Sequence, residues 1–408
     1  MKPVVIVGGG PAGSVCATRL AQHGIASIVF EKERFPRFHL GESLLPHSLF
    51  VLDEIGALAK VELTFLPKYG ARFHDDIIGR SERFEFAGGW KKEPNHAFQV
   101  PRDAFDELLL EHAKSAGADV REEHTVSKIV LENGRAVGVE AKAPSGETTF
   151  HPASIVVDAS GRDALRAHVE HTTTKIADLD QTALFAHYED VPREPGILQG
   201  DIDIVLFRDP STQRPNWFWF IPFKDGRTSV GAVVSREFVR SAPVKTPHEL
   251  FASAIAASKT ASSMLANARM LWPSARATAD FSYRVSSYSG PGWIAIGDAS
   301  GFIDPLFSTG AHIAMVGAKT AADLIRRTLD DPSAWDEGRA AWEASMRAGA
   351  ETFILAVQSF YKGPLVDLIF MPDKHAAIRR SITSLLAGDV FHDSVWLRDT
   401  RARLRDLG

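Results

Sequence analysis

The sequence contains only one cysteine, Cys16, among its 408 residues. A single thiol cannot form an intramolecular disulfide or a metal site built from several thiolates, and such low cysteine use is typical of a reducing compartment. We therefore expect a cytoplasmic protein without a bound metal.

Long apolar runs and a strong charge imbalance are also missing. No segment reaches the roughly 18 uninterrupted apolar residues that a membrane-spanning helix needs, so we expect no stable membrane insertion. The formal net charge is only -5 at pH 7, which gives no general attraction to nucleic acid, and we expect no such partner. Hydrophobic residues make up 45% of the chain and charged residues 24%, a composition typical of a globular protein with two or three packed regions.

The most informative local pattern lies around residue 10. Residues 4–7 form a short apolar run typical of a buried parallel strand, and Gly8-x-Gly10-x-x-Gly13 follows directly. Apolar residues at helical spacing then continue from Ala12 to His23. A second apolar run, residues 26–30, is followed by Glu31. This order predicts the βαβ unit of a dinucleotide-binding fold.

Each residue type in this unit has a physical role in dinucleotide binding. The glycines permit a tight turn, the close approach of a pyrophosphate and close packing of the helix, whose N-terminus favours negative charge. Glu31 lies 23 positions after Gly8 (31 - 8 = 23) and is placed to bind ribose hydroxyls. The sequence has no second such fingerprint, so we expect one tightly held dinucleotide rather than two.

Three later segments have positions that suit further contacts to one large nucleotide. Arg102 begins a predicted helix, and residues 158–161 and 297–300 follow the ends of predicted strands. Each segment alone is as easily explained as an ordinary turn or helix cap. Together with the glycine turn, they favour a nucleotide that lies across the whole domain.

The pattern along the chain predicts an α/β protein with three parts. A Rossmann-like FAD/NAD(P)-binding domain takes residues 1–180 and, discontinuously, 275–330. Residues 181–274 form an inserted substrate-binding domain, an antiparallel sheet with strands predicted over 181–190, 202–207, 216–223 and 228–235. Residues 331–408 form a helical C-terminal region, which we expect to cover the substrate pocket.

The strand predicted over residues 216–223 contains the segment Trp217-Phe-Trp219-Phe-Ile-Pro222. Alternate side chains of a strand lie on opposite faces, so Trp217 and Trp219 share one face. Packing alone favours an ordinary aromatic strand. The Trp-x-Trp-x-Ile-Pro pattern, together with the glycine turn, resembles that of the flavin-dependent halogenases, a family of the FAD-dependent monooxygenase superfamily.

The resemblance extends along nearly the whole chain and is closer to the phenol- and pyrrole-halogenating branch. The segments Gly41–Pro46 and Ser384–Phe391 also look like that branch. Tryptophan-halogenating members have a glutamate before a Ser-Thr-Gly triplet, whereas this chain has Phe307 at that position.

The resemblance implies FAD as the cofactor and identifies the residues that hold it. The counterparts of Glu31, Arg102 and Asp298 bind the ribose, the flavin edge and the ribityl chain in the family. The full set implied for FAD is Gly8, Gly10, Pro11, Ala12, Gly13, Glu31, Lys32, Arg102, Asp158, Gly297, Asp298 and Gly310.

A halide, chloride or bromide, is the implied co-substrate, held at Ser308, Thr309 and Gly310. This triplet runs into a predicted helix, whose first N–H groups attract anions. The other interpretation is a plain helix cap by Ser308 or Thr309, which is compatible with halide binding.

Lys68, Trp217 and Trp219 are the implied catalytic residues. Lys68 matches the halogenation lysine of the family. A lone lysine is usually a solvated surface charge, but apolar neighbours favour burial of Lys68, and burial lowers the pKa of an amine. A buried amine can donate a hydrogen bond to hypohalous acid or, once deprotonated, form a haloamine. The two indoles would keep the organic substrate away from the flavin.

These residues lead us to expect a halogenase that uses reduced FAD, oxygen and halide to form hypohalous acid. Its substrate would be an electron-rich aromatic, a phenol or a pyrrole, free or tethered to a carrier protein, and a separate flavin reductase would supply the reduced FAD. One alternative is a hydroxylase or geranylgeranyl-reductase-like oxidoreductase of the same fold without halide chemistry. Another is a flavin-carrying binding protein.

Overall fold

The computed structural model of the protein describes residues 2–208, 215–244 and 246–407. These residues form strands and helices in an α/β arrangement. The strands are β1 (Val4–Val7), β2 (Ser27–Phe30), β3 (Leu66–Lys68), β4 (Gly70–Asp75), β5 (Arg80–Glu85), β6 (Ala97–Gln99), β7 (Asp119–Arg121), β8 (Thr125–Glu132), β9 (Arg135–Lys142), β10 (Thr148–Pro152), β11 (Val156–Asp158), β12 (Thr173–Lys175), β13 (Thr182–Glu189), β14 (Ile202–Phe207), β15 (Asn216–Pro222), β16 (Thr228–Val234), β17 (Arg269–Met270), β18 (Arg276–Ala279), β19 (Tyr283–Val285), β20 (Ser289–Gly290), β21 (Trp293–Ala295) and β22 (Gly301–Phe302). The helices are α1 (Pro11–Gln22), α2 (Ser48–Glu54), α3 (Leu58–Thr64), α4 (Arg102–Ala116), α5 (Leu165–Val169), α6 (Arg236–Ser241), α7 (Pro247–Ala257), α8 (Lys259–Leu265), α9 (Thr309–Asp330), α10 (Ala334–Lys362), α11 (Pro364–Phe370), α12 (Ala376–Leu386) and α13 (Val395–Leu407).

The first sheet confirms the predicted Rossmann-like layer. Its six strands lie in the order β20-β21-β11-β1-β2-β7, and the pairs from β21 to β7 are all parallel. All four residues of β1 are buried, as an apolar strand in the middle of a parallel sheet requires. α1 begins and ends one residue earlier than its sequence pattern predicts. The strands come from separate stretches between residues 4 and 295, so this layer is discontinuous in sequence.

The second large sheet carries the aromatic strand. Its order is β17-β13-β16-β15-β14-β4-β5, and β18 also pairs with β13. The four strands predicted between residues 181 and 235 are present as β13 to β16, and each is antiparallel to the next in the sheet order. The sheet also contains a parallel pair, because β4 lies next to β14 and runs in the same direction. β4 and β5 come from residues 70–85, far from the other strands in sequence, and the domain boundaries given above stay a prediction.

The strand that ends at Lys68 belongs to a small sheet next to this large one. β3 pairs antiparallel with β6, and a single residue, Tyr69, separates β3 from β4. Lys68 is therefore the last residue of β3, two positions before the strand that enters the eight-stranded sheet. The other small sheets have the orders β10-β9-β8 and β12-β19-β22.

The C-terminal helices pack on the eight-stranded sheet and confirm the predicted helical region. Buried side chains such as Phe353, Phe360 and Leu385 form one hydrophobic cluster with Trp217 and Trp219. Within the described residues, no single helix is long and apolar enough to cross a membrane; α10 and α11 meet that test only as a pair, with a bend of 84° between them. The apolar side chains of the C-terminal helices are thus buried against the aromatic strand.

Replacement of Phe353 by alanine should destabilise the junction between α10 and the eight-stranded sheet. The Phe353 side chain is 0% exposed, and the loss of a buried phenyl ring costs about 3–5 kcal/mol of unfolding free energy. Urea unfolding followed by tryptophan fluorescence should therefore give a clearly lower midpoint. Leu63, which is 79% exposed, provides the control, because Leu63→Ala should change the free energy by less than about 0.5 kcal/mol. Equal midpoints for the two variants would contradict the packing described.

Candidate active site

A cavity of about 500 Å³ lies between the Rossmann-like sheet and the eight-stranded sheet. Both sheets and the start of α9 contribute to its wall, so segments far apart in sequence meet at one site. The predicted site residues in the wall are Gly8, Gly10, Pro11, Ala12, Glu31, Lys32, Arg102, Trp217, Trp219, Gly297, Asp298, Ser308, Thr309 and Gly310. Three predicted residues, Gly13, Lys68 and Asp158, lie behind the wall rather than in it.

The glycine turn between β1 and α1 has no room for a side chain at Gly8 or at Gly13. A Cβ atom on Gly8 would lie 2.3 Å from the carbonyl oxygen of Ala159, and one on Gly13 would lie 1.9 Å from the carbonyl oxygen of Gly8. Gly13 therefore lets α1 pack closely against the turn. No described side chain caps the start of α1 after Gly10, so the N–H groups of its first turn are available to an anionic ligand.

Glu31 and Lys32 follow β2 at one edge of the cavity. The buried Glu31 carboxylate accepts hydrogen bonds from the N–H groups of Gly9 at 2.7 Å and Glu33 at 2.8 Å. These bonds fix the carboxylate in the wall, where it can meet a ribose. Lys32 forms an ion pair with Asp163, which also lines the cavity.

Arg102 and Asp298 provide the charged part of the wall. The Arg102 guanidinium donates to the Asp106 carboxylate at 2.6 and 2.9 Å and to the carbonyl oxygen of Leu40 at 2.6 Å. Burial raises the pKa of Asp298 to about 6, and the Arg102 charge opposes that rise. Asp298 can therefore take up a proton only slightly below neutral pH. Gly297, just before it, has a φ of 62°, a left-handed conformation that favours glycine.

The Asp158 side chain does not reach the cavity. Its carboxylate accepts hydrogen bonds from the Ser160 N–H at 3.1 Å, the Ser160 hydroxyl at 2.5 Å and the Arg166 N–H at 3.1 Å. These bonds shape the turn after β11, and Ala159, Ser160 and Gly161 of that turn do line the cavity. The structure thus places the Asp158 carboxylate against the turn that lines the cavity, and its contact with the cofactor stays a prediction.

The Ser308-Thr309-Gly310 triplet lines the cavity where α9 begins. Ser308 has a left-handed conformation with a φ of 54°, and no described side chain caps this helix. The other interpretation, a plain side-chain cap by Ser308 or Thr309, is therefore wrong. The first N–H groups of this 22-residue helix remain available to an anion.

Trp217 and Trp219 lie on the same face of β15, as predicted, and form the wall opposite the dinucleotide side. Their ring centroids are 6.1 Å apart. The Trp219 Nε1–H donates to the Ser229 hydroxyl at 3.1 Å. A Cβ atom on Gly231, the residue paired with Trp219 in β16, would lie 2.1 Å from the indole ring. Glycine at this position therefore makes room for the indole.

A buried chain of hydrogen bonds starts at Trp217. Its Nε1–H donates to the Tyr361 hydroxyl at 2.9 Å, and Tyr361 donates to Asp304 Oδ2 at 3.1 Å. Asp304 Oδ1 accepts from the Leu306 N–H at 2.9 Å. Burial raises the pKa of Asp304 to about 7. α10 thus connects the indole wall to the loop that leads into the Ser308 triplet.

Lys68 is buried, with only 1% of its surface exposed, which excludes a solvated surface charge. Its ammonium donates to the Ser43 hydroxyl at 2.7 Å, and Ser43 lines the cavity. Burial lowers the pKa of Lys68 to about 7, although the Asp201 carboxylate opposes this. Near neutral pH, both the ammonium and the free amine are therefore populated.

Several cavity residues have no role in the sequence predictions. Glu42 and Ser43 belong to the Gly41–Pro46 segment, so the family resemblance was the signal that could have found them. Phe185 lines the cavity from β13 and stacks on Trp219 at 6.5 Å between ring centroids. His187 contacts Glu42 across 145 positions of sequence, and no local pattern marks that pair.

Comparison with known proteins identifies the family. The family model for tryptophan halogenases matches residues 85–364, more than half of the chain, and a model for NAD(P)-binding Rossmann-like domains matches residues 6–43. The chain belongs to the flavin-dependent halogenase family. It is 30% identical over 405 residues to the 1H-pyrrole-2-carbonyl-[peptidyl-carrier protein] chlorinase of Pseudomonas fluorescens, with 95% of this chain and 89% of that protein covered.

Other relatives of this halogenase match over similar lengths. The 1H-pyrrole-2-carbonyl-[peptidyl-carrier protein] brominase of Pseudoalteromonas luteoviolacea is 28% identical over 406 residues, which cover 97% of this chain and 94% of that protein. The solved structure of the flavin-dependent brominase Bmp2 superimposes with a TM-score of 0.88 at 25% identity, covering 99% of this chain and 97% of that one. A flavoprotein/dehydrogenase from Cytophaga hutchinsonii superimposes with a TM-score of 0.89 at 28% identity, covering 100% and 97%.

The family membership decides between the functions considered above. The protein is an FAD-dependent halogenase that uses reduced FAD, oxygen and a halide, not a hydroxylase, a geranylgeranyl-reductase-like enzyme or a binding protein. The wall fits this cofactor, because a Cβ atom would fill the cradle at Gly8 and the buried Glu31 carboxylate faces the same space.

The low pKa of Lys68 makes the stability of the halogenase depend on pH. An unfolded lysine keeps its ordinary pKa of 10.5, so between pH 7 and 10.5 only the unfolded state holds the proton, and the free energy of unfolding rises with pH. Relative to Lys68→Met, the wild type should gain on the order of 4 kcal/mol between pH 7 and pH 10. Urea unfolding at several pH values measures this difference.

The exposed Lys128 supplies the control for this measurement. Lys128→Met should follow the wild-type pH profile throughout the range. A difference between wild type and Lys68→Met that stays constant with pH would show that Lys68 titrates as an ordinary amine.

Proposed function

We propose that this halogenase chlorinates or brominates a pyrrole ring presented on a peptidyl carrier protein. The two pyrrole-2-carbonyl carrier-protein halogenases align along at least 95% of this chain. The observation that carries the proposal is the position of the buried Lys68 amine. It donates a hydrogen bond to the Ser43 hydroxyl, and Ser43 lines the same cavity as Trp217 and Trp219. An apolar, indole-lined wall suits a small electron-rich ring.

We assign FAD to the half of the cavity that the Rossmann-like sheet builds. When bound, FAD supplies the redox chemistry by which oxygen oxidises the halide. The first N–H groups of α1 are placed to bind its pyrophosphate, and Glu31 is placed to bind its ribose. Arg102 is assigned to the flavin edge and Asp298 to the ribityl chain. Lys32, next to Glu31 in the wall, adds a positive charge at the same edge.

We assign the halide to the N–H groups of Thr309 and Gly310. The positive end of the α9 dipole holds an anion there without a formal positive charge. Ser308 turns the backbone into the helix through its left-handed conformation. Thr309 and Gly310 line the same cavity as Asp298, which supports this assignment.

We assign the halogenating step to Lys68. As an ammonium it donates a hydrogen bond that polarises hypohalous acid, and as a free amine it takes up the halogen as a haloamine with release of water. A pKa of about 7 keeps both forms populated near neutral pH. Ser43 holds the nitrogen in position through a hydrogen bond of 2.7 Å, and Trp217 and Trp219 keep the ring away from the flavin side.

Three further elements belong to this proposal. The chain divides into an FAD-binding domain of residues 1–180 with 275–330, a substrate-binding sheet of residues 181–274 and a helical region of residues 331–408. A separate flavin reductase supplies reduced FAD, which the single dinucleotide fingerprint in the sequence supports. The enzyme works in the cytoplasm, which the single cysteine supports.

Replacement of Lys68 by alanine should separate halogenation from flavin oxidation. The FAD-loaded variant should still consume oxygen and release hydrogen peroxide, because its FAD-binding residues are unchanged. Halogenated product should fall by about 10²-fold or more, the usual contribution of a positioned acid or base. Mass spectrometry of pyrrole-2-carbonyl carrier protein, incubated with enzyme, a flavin reductase, and chloride or bromide, measures the product.

Lys128→Ala is the matched control and should halogenate at the wild-type rate, since this lysine is exposed on β8. Product formation by the wild type that does not require halide, or an oxygenated product in place of a halogenated one, would overturn the proposed function.

A further inference from the structure

Glu42 is a buried carboxylate in the cavity wall that the steps above do not use. It is only 2% exposed and lines the cavity. Its Oε1 accepts a hydrogen bond from His187 Nε2 at 2.9 Å, whereas its Oε2 is buried without a hydrogen-bond partner among the described residues. A buried oxygen without a donor is costly, and such atoms are uncommon in folded proteins. This oxygen is therefore suited to a donor on a bound ligand.

His187 fixes Glu42 to the sheet face that carries the indole wall. The imidazole is packed against Trp272 at 4.7 Å and Phe223 at 5.4 Å between ring centroids. In the β13–β16 ladder His187 lies opposite Ser229, whose hydroxyl accepts the hydrogen bond from Trp219. Residues directly opposite each other share a face of the sheet. Glu42 is thus bound to β13, and the neighbouring strand β16 carries Ser229, the hydrogen-bond partner of the Trp219 indole.

Glu42 is also the sequence neighbour of the residue that contacts Lys68. Ser43, the next residue, accepts the hydrogen bond from the Lys68 ammonium. Two cations, Arg102 and Arg227, act on Glu42. The Arg102 guanidinium donates to Asp106 and to Leu40, and Arg227 pairs with Asp225. Neither of them donates a hydrogen bond to Glu42 Oε2.

On the basis of the proposed pyrrole substrate, we propose that Glu42 Oε2 accepts a hydrogen bond from the ring N–H. This bond selects pyrroles that have a free N–H. A carboxylate that binds the N–H fixes the rotation of the ring in the cavity. It also favours electron density on the ring carbons, which are the atoms that accept halogen. His187 is a positioning residue, because it acts only through Glu42.

Equilibrium dialysis of the FAD-loaded enzyme with pyrrole-2-carboxamide and 1-methylpyrrole-2-carboxamide tests this role. The wild type should bind the N–H compound about tenfold more tightly than its N-methyl counterpart, the usual effect of one hydrogen bond to a charged group. In Glu42→Gln, the carbonyl oxygen remains bonded to His187 and the amide NH₂ faces the ring N–H. The ratio of the two affinities should therefore fall to about one or below.

Two further variants keep the test independent of how well Glu42→Gln folds. His187→Phe preserves an aromatic ring but removes the donor, so the affinity ratio should fall although Glu42 is present. His187→Gln restores an N–H donor and should recover most of the ratio. Glu132→Gln, at an exposed position, should leave it unchanged. The visible absorbance of bound FAD checks that each variant is loaded.

The outcomes separate this proposal from the proposed function. Equal affinities of the wild type for the two compounds, or an unchanged ratio in Glu42→Gln and His187→Phe, would overturn the role of Glu42 even if pyrroles are halogenated. Absence of halogenated pyrrole in the mass spectrometric assay would overturn the proposed function, while the dialysis ratio still reports on Glu42.

Discussion

The hydrogen bonds from Trp217 to Tyr361 and from Tyr361 to Asp304 connect three segments that lie far apart in sequence. Trp217 comes from the aromatic strand, Tyr361 from the C-terminal helices and Asp304 from the loop before α9. Each of these buried groups has the next one as its hydrogen-bond partner. A buried polar group left without its partner costs about 1–3 kcal/mol of folding free energy. The indole wall, the helical region and the proposed halide site therefore share one support.

Burial also brings the titration of several site residues close to neutral pH. It lowers the pKa of Lys68 to about 7 and raises that of Asp304 to about 7 and that of Asp298 to about 6. The pKa of the base falls and the pKa values of the two acids rise for the same reason, because a surrounding of low polarity disfavours the charged form of each group. Each of these three groups can therefore gain or lose a proton close to neutral pH.

Local sequence signals predicted the parts of the fold that depend on neighbouring residues. The glycine turn, α1 and Glu31 follow from a fixed spacing, and longer runs typical of strands predicted β13 to β16. Pairing between distant segments has no such signal, so the sequence did not show that β4 joins β14 or that His187 holds Glu42. The position of Asp158 depends on whether its carboxylate bonds to its own turn, which only the backbone conformation decides. The resemblance singled out Lys68 and its apolar neighbours favoured burial, but a lone lysine is usually solvated, so only the structure shows that the ammonium is enclosed.

The parallel pairing of β4 with β14 has a consequence for the order in which the enzyme is made. It joins Ala71 to Ile202, which are 131 positions apart (202 - 71 = 131). Residues 200 and 201 also close over the Lys68 strand, because Gly200 approaches the Pro67 carbonyl and Asp201 accepts the Tyr69 N–H at 3.3 Å. Contacts over such separations form late, since the entropy of closing the loop must be offset first. During synthesis, the chain can therefore enclose Lys68 in this way only after β14 has emerged from the ribosome.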